Sequence, residues 1–233
     1  MSLERILNAE SVAIIGASKN ETKRGYQTIR TLLDEKYEGR IYPVNPKEKS
    51  ILGFKCYKKV SDIEEPVDVA LVATPAATLP AVLEDCGRNG VSGAVVLAGG
   101  FGEMGPDGRK LENEMIAVAK KHNIRLIGPN TSGMLNMHDH LNLVGLKDAP
   151  QGDIALLTQS GNMALTLITE AKIKSRKGFS YYVGVGNEAD IKFHEYLEFF
   201  RNDPHTKAIL IYVEGLRNGR EFLQQAQKTT LEK

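Results

Sequence analysis

Residues 11–25 read Ser-Val-Ala-Ile-Ile-Gly-Ala-Ser-Lys-Asn-Glu-Thr-Lys-Arg-Gly. An uncharged run enters a polar turn of small residues, and Tyr26, Ile29, Leu33 and Tyr37 then recur at helical spacing. Strand, tight turn and amphipathic helix in that order open an α/β unit. The rhythm repeats outward. Short Val-, Ile- and Ala-rich runs predict parallel strands at 11–15, 40–44, 67–72, 93–97 and 125–127, buried on both faces. Between them, Leu79, Val82, Leu83 and Cys86, then Leu111, Met115, Val118 and Ala119, give each crossover helix one apolar stripe.

After Gly128-Pro129-Asn130 the rhythm breaks, and residues 131–153 read as a linker ending in Asp148-Ala149-Pro150-Gln151-Gly152-Asp153. A second α/β unit then starts, with strands expected at 154–157, 179–185 and 208–213 and helices opening near Ser160, Ile191 and Gly219. The expected division is 1–130, a linker over 131–153, and 154–233. Three parallel strands alone leave an edge uncovered, so the second domain is expected to be incomplete or completed by a partner.

Composition removes several classes. At 233 residues, with 42% hydrophobic and 25% charged side chains, the chain is long enough for a real core and is neither disordered nor a disulfide scaffold. A formal charge of +1 supplies no broad footprint for nucleic acid or an anionic membrane. No apolar run reaches membrane-spanning length, and two cysteines, Cys56 and Cys86, without a secretory leader suggest a reducing, cytoplasmic setting. Both thiols read as buried or idle.

Ligands of open α/β sheets bind beyond the carboxyl ends of the strands. In the first domain those ends carry Gly16-Ala17-Ser18, Asn45-Pro46-Lys47, Thr74-Pro75-Ala76, Ala98-Gly99-Gly100-Phe101 and Gly128-Pro129-Asn130. Such residues also serve ordinary turns, but five small-residue turns on one sheet edge point to a nucleotide. The Gly-x-Gly-x-x-Gly run and strand-two acid of an NAD site are missing. In their place stand Lys23 and Arg24 in the first turn and Lys47 after strand two, cations suited to a ribose phosphate as in NADP or coenzyme A. In the second domain Thr158-Gln159-Ser160-Gly161-Asn162 joins strand to helix, a phosphate cradle in outline or a plain Ser N-cap. Asp190 reads as the N-cap of the next helix, whereas Glu214, continuing the apolar strand end Tyr212-Val213, is expected to be partly buried and in need of a partner.

Taken together, residues 11–18, 41–47, 98–101 and 128–130 resemble the coenzyme A (CoA)-binding domain of NDP-forming acyl-CoA synthetases, relatives of the succinyl-CoA synthetase α subunit. Residues 158–162, 186–190 and 212–215 resemble the start of the flavodoxin-like ligase domain that follows in that family. The resemblance covers essentially the whole chain. It implies a Rossmann-like CoA-binding domain followed by an incomplete flavodoxin-like parallel α/β domain. It also implies a reversible acid–thiol ligase reaction, in which acyl-CoA, phosphate and ADP give acid, CoA and ATP through a phosphohistidine. By resemblance, CoA is held around Gly16, Ser18, Lys23, Arg24, Lys47, Thr74, Pro75, Ala98, Gly99, Gly100 and Asn130. Ser160, Gly161 and Asn162 then match the phosphate-holding helix start, and Glu214 the acid that orients the histidine. ADP or ATP with Mg2+ belongs on an ATP-grasp partner domain or subunit.

One departure limits the expected activity. The family's histidine stands in a motif farther along the ligase-like domain, and His122, His138, His140, His194 and His205 do not stand in it. The chain alone is therefore expected to bind CoA without turnover. A non-catalytic CoA- or nucleotide-binding module, and the front part of a CoA-dependent acetyltransferase, remain as alternatives. His138-Asp139-His140 reads as a solvated loop, so no metal is assigned.

Overall fold

The computed structural model describes residues 3–174 and 177–233. Its first half runs α1 (Glu4–Leu7), β1 (Ser11–Ile15), α2 (Arg24–Asp34), β2 (Arg40–Val44), the two-residue strands β3 (Ser50–Ile51) and β4 (Phe54–Lys55), β5 (Val69–Val72), α3 (Leu79–Asn89), β6 (Gly93–Val96), α4 (Pro106–Lys121) and β7 (Arg125–Ile127). The second half runs β8 (Met134–Asn136), β9 (Leu141–Asn142), β10 (Gln151–Thr158), α5 (Gly161–Ile173), β11 (Phe179–Gly184), α6 (Phe193–Asn202), β12 (Ala208–Tyr212) and α7 (Gly219–Thr229).

The first sheet is parallel throughout, in the order β2-β1-β5-β6-β7. Every residue of β1, β5 and β6 is buried, which is why these strands lack a polar alternation. The chain leaves β1 toward β2 on one side and reaches β5 on the other, so a topological switch point lies between β1 and β5. The second sheet has the order β12-β10-β11-β8-β9, with β10 parallel to β11 and β12, and β8 antiparallel to β11 and β9.

That second sheet corrects two expectations. Residues 131–153 are not a bare linker. Met134, Leu135, Leu141, Leu143 and Val144 are buried there, and the pair β8–β9 adds two strands beside β11. The sheet therefore has five strands rather than three. On its other side β12 alternates between exposed and half-buried residues, with Leu210 and Tyr212 in water. In α2 the buried stripe is Gly25, Thr28, Ile29 and Leu32, while Leu33, expected in it, is 40% exposed.

A single apolar cluster joins the halves. Ile14, Leu71, Val95 and Ile127 of the first sheet share it with Ala155, Leu157, Tyr181 and Val183 of the second. Backbone bonds stitch the same seam: Asn187 and Ala189 donate to the carbonyls of Pro129 and Gly128, and Ile191 to that of Leu126. The first domain is also fixed from below its strands. Asp68, 9% exposed, accepts from Arg5 Nε at 2.7 Å, Ser11 Oγ at 2.8 Å and the Glu10 N–H at 3.1 Å.

Burial pushes the Asp68 carboxyl upward, but these donors together hold it below the usual carboxylate range. Its contribution is thus complete above about pH 4, the unfolded value, and disappears as pH falls through the lower folded value. Asp68→Asn is expected to cost about 2 kcal/mol at neutral pH and clearly less at pH 3. Thermal melts across that range check this, and an equal loss at both ends would contradict it.

Candidate functional site

A cleft of ≈ 530 Å³ opens at the carboxyl ends of β1, β2 and β5, at the switch point. Gly16, Asn45, Thr74 and Pro75, from three of the strand-end turns singled out in the sequence, line it. Val60 and Val82 supply apolar walls, and Lys58, Lys59 and Arg88 bring cations that sequence reading missed. The wall carrying Lys58 and Lys59 is bolted to α3, because Asp85 accepts from the Val60 N–H at 2.7 Å and from Ser61 Oγ at 2.6 Å. The signal available in sequence was the α3 face Ala81, Asp85, Arg88, spaced by four and three residues.

Beside the cleft, the turn from β1 to α2 is held by local bonds. Ser18 Oγ accepts the Asn20 N–H at 3.0 Å, and Asn20 Oδ1 accepts from the N–H and Oγ1 of Thr22. Asn45 Nδ2 donates to the Ala17 carbonyl at 2.6 Å and so ties the tips of β1 and β2. Gly16 has φ +86°, and a Cβ there would lie 2.8 Å from the Ala73 carbonyl oxygen. Lys23 is the N-cap of α2 and makes no side-chain cap bond, which leaves the helix start to its own amides. Lys23 and Lys47 are exposed.

Arg24 is already engaged within the fold: its NH1 and NH2 donate to the carbonyls of Val144 and Ser132 and so join α2 to the segment before the second domain. Ser132 is hydrogen-bonded in turn to the buried Tyr182 hydroxyl.

The ends of β6 and β7 lie along the same edge, toward the second domain. Gly100 donates to Glu103 Oε1 at 2.6 Å, Asn187 Nδ2 to Glu103 Oε2 at 2.5 Å, and Asn130 Nδ2 to Asn187 Oδ1 at 3.3 Å. Burial pushes Glu103 upward, and the Gly100 N–H and Asn187 amide outweigh it, leaving the carboxyl below its ordinary range. Ala98 donates no side chain here; its carbonyl accepts the Asn130 N–H at 2.8 Å. Gly99 has no room for more, since a Cβ would meet Asn130 Oδ1 and Glu103 Oε1 at 3.1 Å. These residues therefore form the domain junction, separate from the lining of the apolar cleft.

In the second domain Ser160 is the N-cap of α5, accepting the Met163 N–H at a long 3.4 Å. Gly161 and Asn162 are exposed. A Cβ on Gly161 would lie 3.4 Å from Ser132 Cβ, so the starts of α5 and α2 converge on one residue through Ser132 and Arg24. Gln159, given no role of its own in the sequence reading of 158–162, clamps the end of β12: its Oε1 accepts from the N–H groups of Glu214 and Gly215, and its Nε2 donates to the Gly215 carbonyl. The clamp fixes the Glu214 backbone beside the cradle. The Glu214 side chain is exposed, contrary to the expected partial burial, because β12 is an edge strand in this structure.

The helix α6 cap also differs from expectation. Asp190 accepts from Arg125 Nε and the Leu126 N–H, while Glu188, 2% exposed, takes the Phe193 N–H and Glu195 the Lys192 N–H. Cys56 and Cys86 are buried free thiols, and burial pushes Cys86 up to about 12. The ring of His138 stacks on that of His205 at 4.0 Å. Among the described residues no group of three or more His, Cys, Asp and Glu is placed to hold a metal, and no helix is long and apolar enough to cross a membrane.

A parallel sheet with an apolar, cation-rimmed cleft at its switch point, packed on a second α/β sheet whose α5 start faces the same edge, defines a two-domain nucleotide-binding α/β protein. The comparisons make that class specific. Residues 10–137 match the family model of the CoA binding domain, and residues 151–233 that of the succinyl-CoA ligase like flavodoxin domain. The chain therefore belongs to the CoA-binding-domain family, in the two-domain arrangement of ADP-forming acyl-CoA synthetases.

Among relatives, an ADP-forming acetate–CoA ligase of Methanocaldococcus jannaschii is 43% identical over 99% of this chain and 32% of its own length. The α subunit of ADP-forming acetate–CoA ligase I of Pyrococcus furiosus is 42% identical over 100% of this chain and 51% of its own. Among solved structures, acetyl-coenzyme A synthetase 1 of Ca. Korarchaeum cryptofilum, described as dinucleotide forming and in complex with phosphate and ADP, superposes with a TM-score of 0.95. It is 39% identical, and the match covers 100% of this chain and 50% of that one. The chain thus spans between a third and a half of the length of these relatives.

Proposed function

We propose that this chain is the CoA-binding portion of an ADP-forming acyl-CoA synthetase. CoA lies along the carboxyl edge of the first sheet, with its adenine between the Val60 and Val82 walls and its diphosphate over the start of α2. Its thioester end points toward Gly99, Gly100 and Asn130 at the junction. Phosphate sits on the N–H groups of Gly161 and Asn162, favoured by the positive end of α5. A phosphate oxygen attacks the thioester carbonyl carbon, the carbon–sulfur bond breaks, and CoA leaves as thiolate with an acyl phosphate remaining. The later transfers, to a histidine farther along the ligase-like domain and then to ADP on an ATP-grasp partner, follow the family pattern. In this reading Glu214 orients that histidine, which needs a hydrogen-bond partner to fix its tautomer.

The observation that carries the proposal is the convergence of two helix starts, α2 beside the cleft and α5 across Ser132, on one sheet edge. That arrangement suits one ligand spanning from adenine to a reacting phosphate. Calorimetry of the chain with CoA, acetyl-CoA and NAD tests it. Saturable one-to-one binding of both CoA species, with NAD silent, is expected; NAD binding without CoA binding would reverse the assignment.

A further inference from the structure

The cleft at the β1/β5 switch point is not electrically neutral in its free groups. Five charged residues line it: Lys58, Lys59, Arg88, Glu84 and Asp85. Both acids are already engaged. Glu84 takes Lys121 Nζ at 2.6 Å and His122 Nε2 at 2.8 Å, and Asp85 takes the Val60 N–H and Ser61 hydroxyl. Lys121 and His122 hold the Glu84 carboxyl below its ordinary range, so it stays ionised and paired with them. Among the described residues, no salt bridge involves Lys58, Lys59 or Arg88.

Three cations outside any ion pair on the rim of an apolar slot, against the single carboxylate charge of Asp85, imply an anion that arrives together with an apolar plane. The cations also stand on two facing walls. Arg88 is on α3, one turn beyond Glu84, and Lys58 and Lys59 precede the Val60 segment that Asp85 bolts to that helix. The bolt sets the spacing of the walls, so the cations do not depend on a mobile loop to come together. Arg24, by contrast, spends its terminal nitrogens on Ser132 and Val144, and Lys19 is paired with Glu48.

We propose that Arg88, assisted by Lys58 and Lys59, is the specificity determinant for the 3′-phosphate of the bound adenine nucleotide. This rests on the CoA reading above. An adenine seated between Val60 and Val82 puts its ribose at the slot rim, where the guanidinium of Arg88 offers paired donors to a phosphate dianion. Arg24, one of the cations assigned from sequence, then leaves that task to residues of α3 and the 58–60 wall.

The test is calorimetry of wild type, Arg88→Gln, Lys58→Gln/Lys59→Gln and Arg88→Lys against four probes: CoA, dephospho-CoA, adenosine 3′,5′-bisphosphate and AMP. In wild type, each 3′-phosphorylated ligand is expected to bind about tenfold or more tightly than its partner lacking that phosphate. Arg88→Gln is expected to bring that ratio to within about twofold while leaving dephospho-CoA and AMP affinities unchanged, which also shows that the variant is folded. The double lysine variant should lower the ratio part of the way, and Arg88→Lys should recover part of it. A full preference kept by Arg88→Gln overturns the inference while the CoA reading stands. Failure of wild type to bind either CoA or dephospho-CoA removes that reading, and the inference falls with it.

Discussion

Gly25→Val is expected to lower the melting temperature by about 5–10 °C and to weaken CoA binding by about tenfold or more. The reason is a backbone approach without slack. A Cβ on Gly25 would lie 2.4 Å from the Gly16 carbonyl oxygen and 2.8 Å from Ala17 Cα, atoms of the β1 turn that cannot rotate away. Helix α2 must then lift from the sheet, and Ile29 and Leu32, both fully buried, lose packing with it. The cost of such overpacking is about 1–3 kcal/mol. The same displacement carries the free amides at the helix start away from the phosphate they are proposed to hold, so stability and affinity fall together. Gly219→Ala serves as the comparison, since a Cβ there meets nothing within 4 Å. A Gly25→Val protein with wild-type melting and wild-type CoA affinity would show that the close approach has no role.

Gly16 also shows what sequence can reveal: a small-residue turn was expected after the apolar run of β1, and Gly16 makes it with a φ of +86°. Strands β1, β2 and β7 fall where the Val- and Ile-rich runs put them. Helix α7 likewise begins at Gly219.

What stayed hidden depends on contacts between distant segments. The pairs β3–β4 and β8–β9 use strands of two or three residues, too short for any period to register. Asp190 looked like a cap because Ile191 opened an apolar run, yet Arg125, 65 residues earlier, claims it. Lys58, Lys59 and Arg88 become a cluster only after Asp85 closes the 58–60 segment onto α3. Glu214 was judged from its strand, and its exposure follows from β12 being at the sheet edge.

The Arg125 connection yields the second large effect. Arg125 Nε donates to Asp190 Oδ2 at 2.9 Å, and NH2 reaches both oxygens of Glu195 at 2.8 and 3.0 Å, joining the first residue of β7 to the α6 region. The three side chains are only 21–29% exposed. Arg125→Met keeps the aliphatic stem but leaves two carboxylates of the α6 region, on the same side of the seam, without the cation they share, with the Leu126 N–H still bound to one of them. With their partial exposure counted, the expected loss is about 2 kcal/mol, or about 4–8 °C in melting temperature. The loss belongs to unpaired charge rather than to lost volume, so adding Asp190→Asn and Glu195→Gln to Arg125→Met should recover most of it, a coupling that a mutant cycle isolates. CoA affinity should change little, because the cleft lies at the other side of the sheet, beside β1, β2 and β5. If Arg125→Met melts within about 1 °C of wild type, the shared apolar cluster of Ile127, Ala155 and Tyr181 and the backbone bonds of residues 187–191 hold the two sheets together without it.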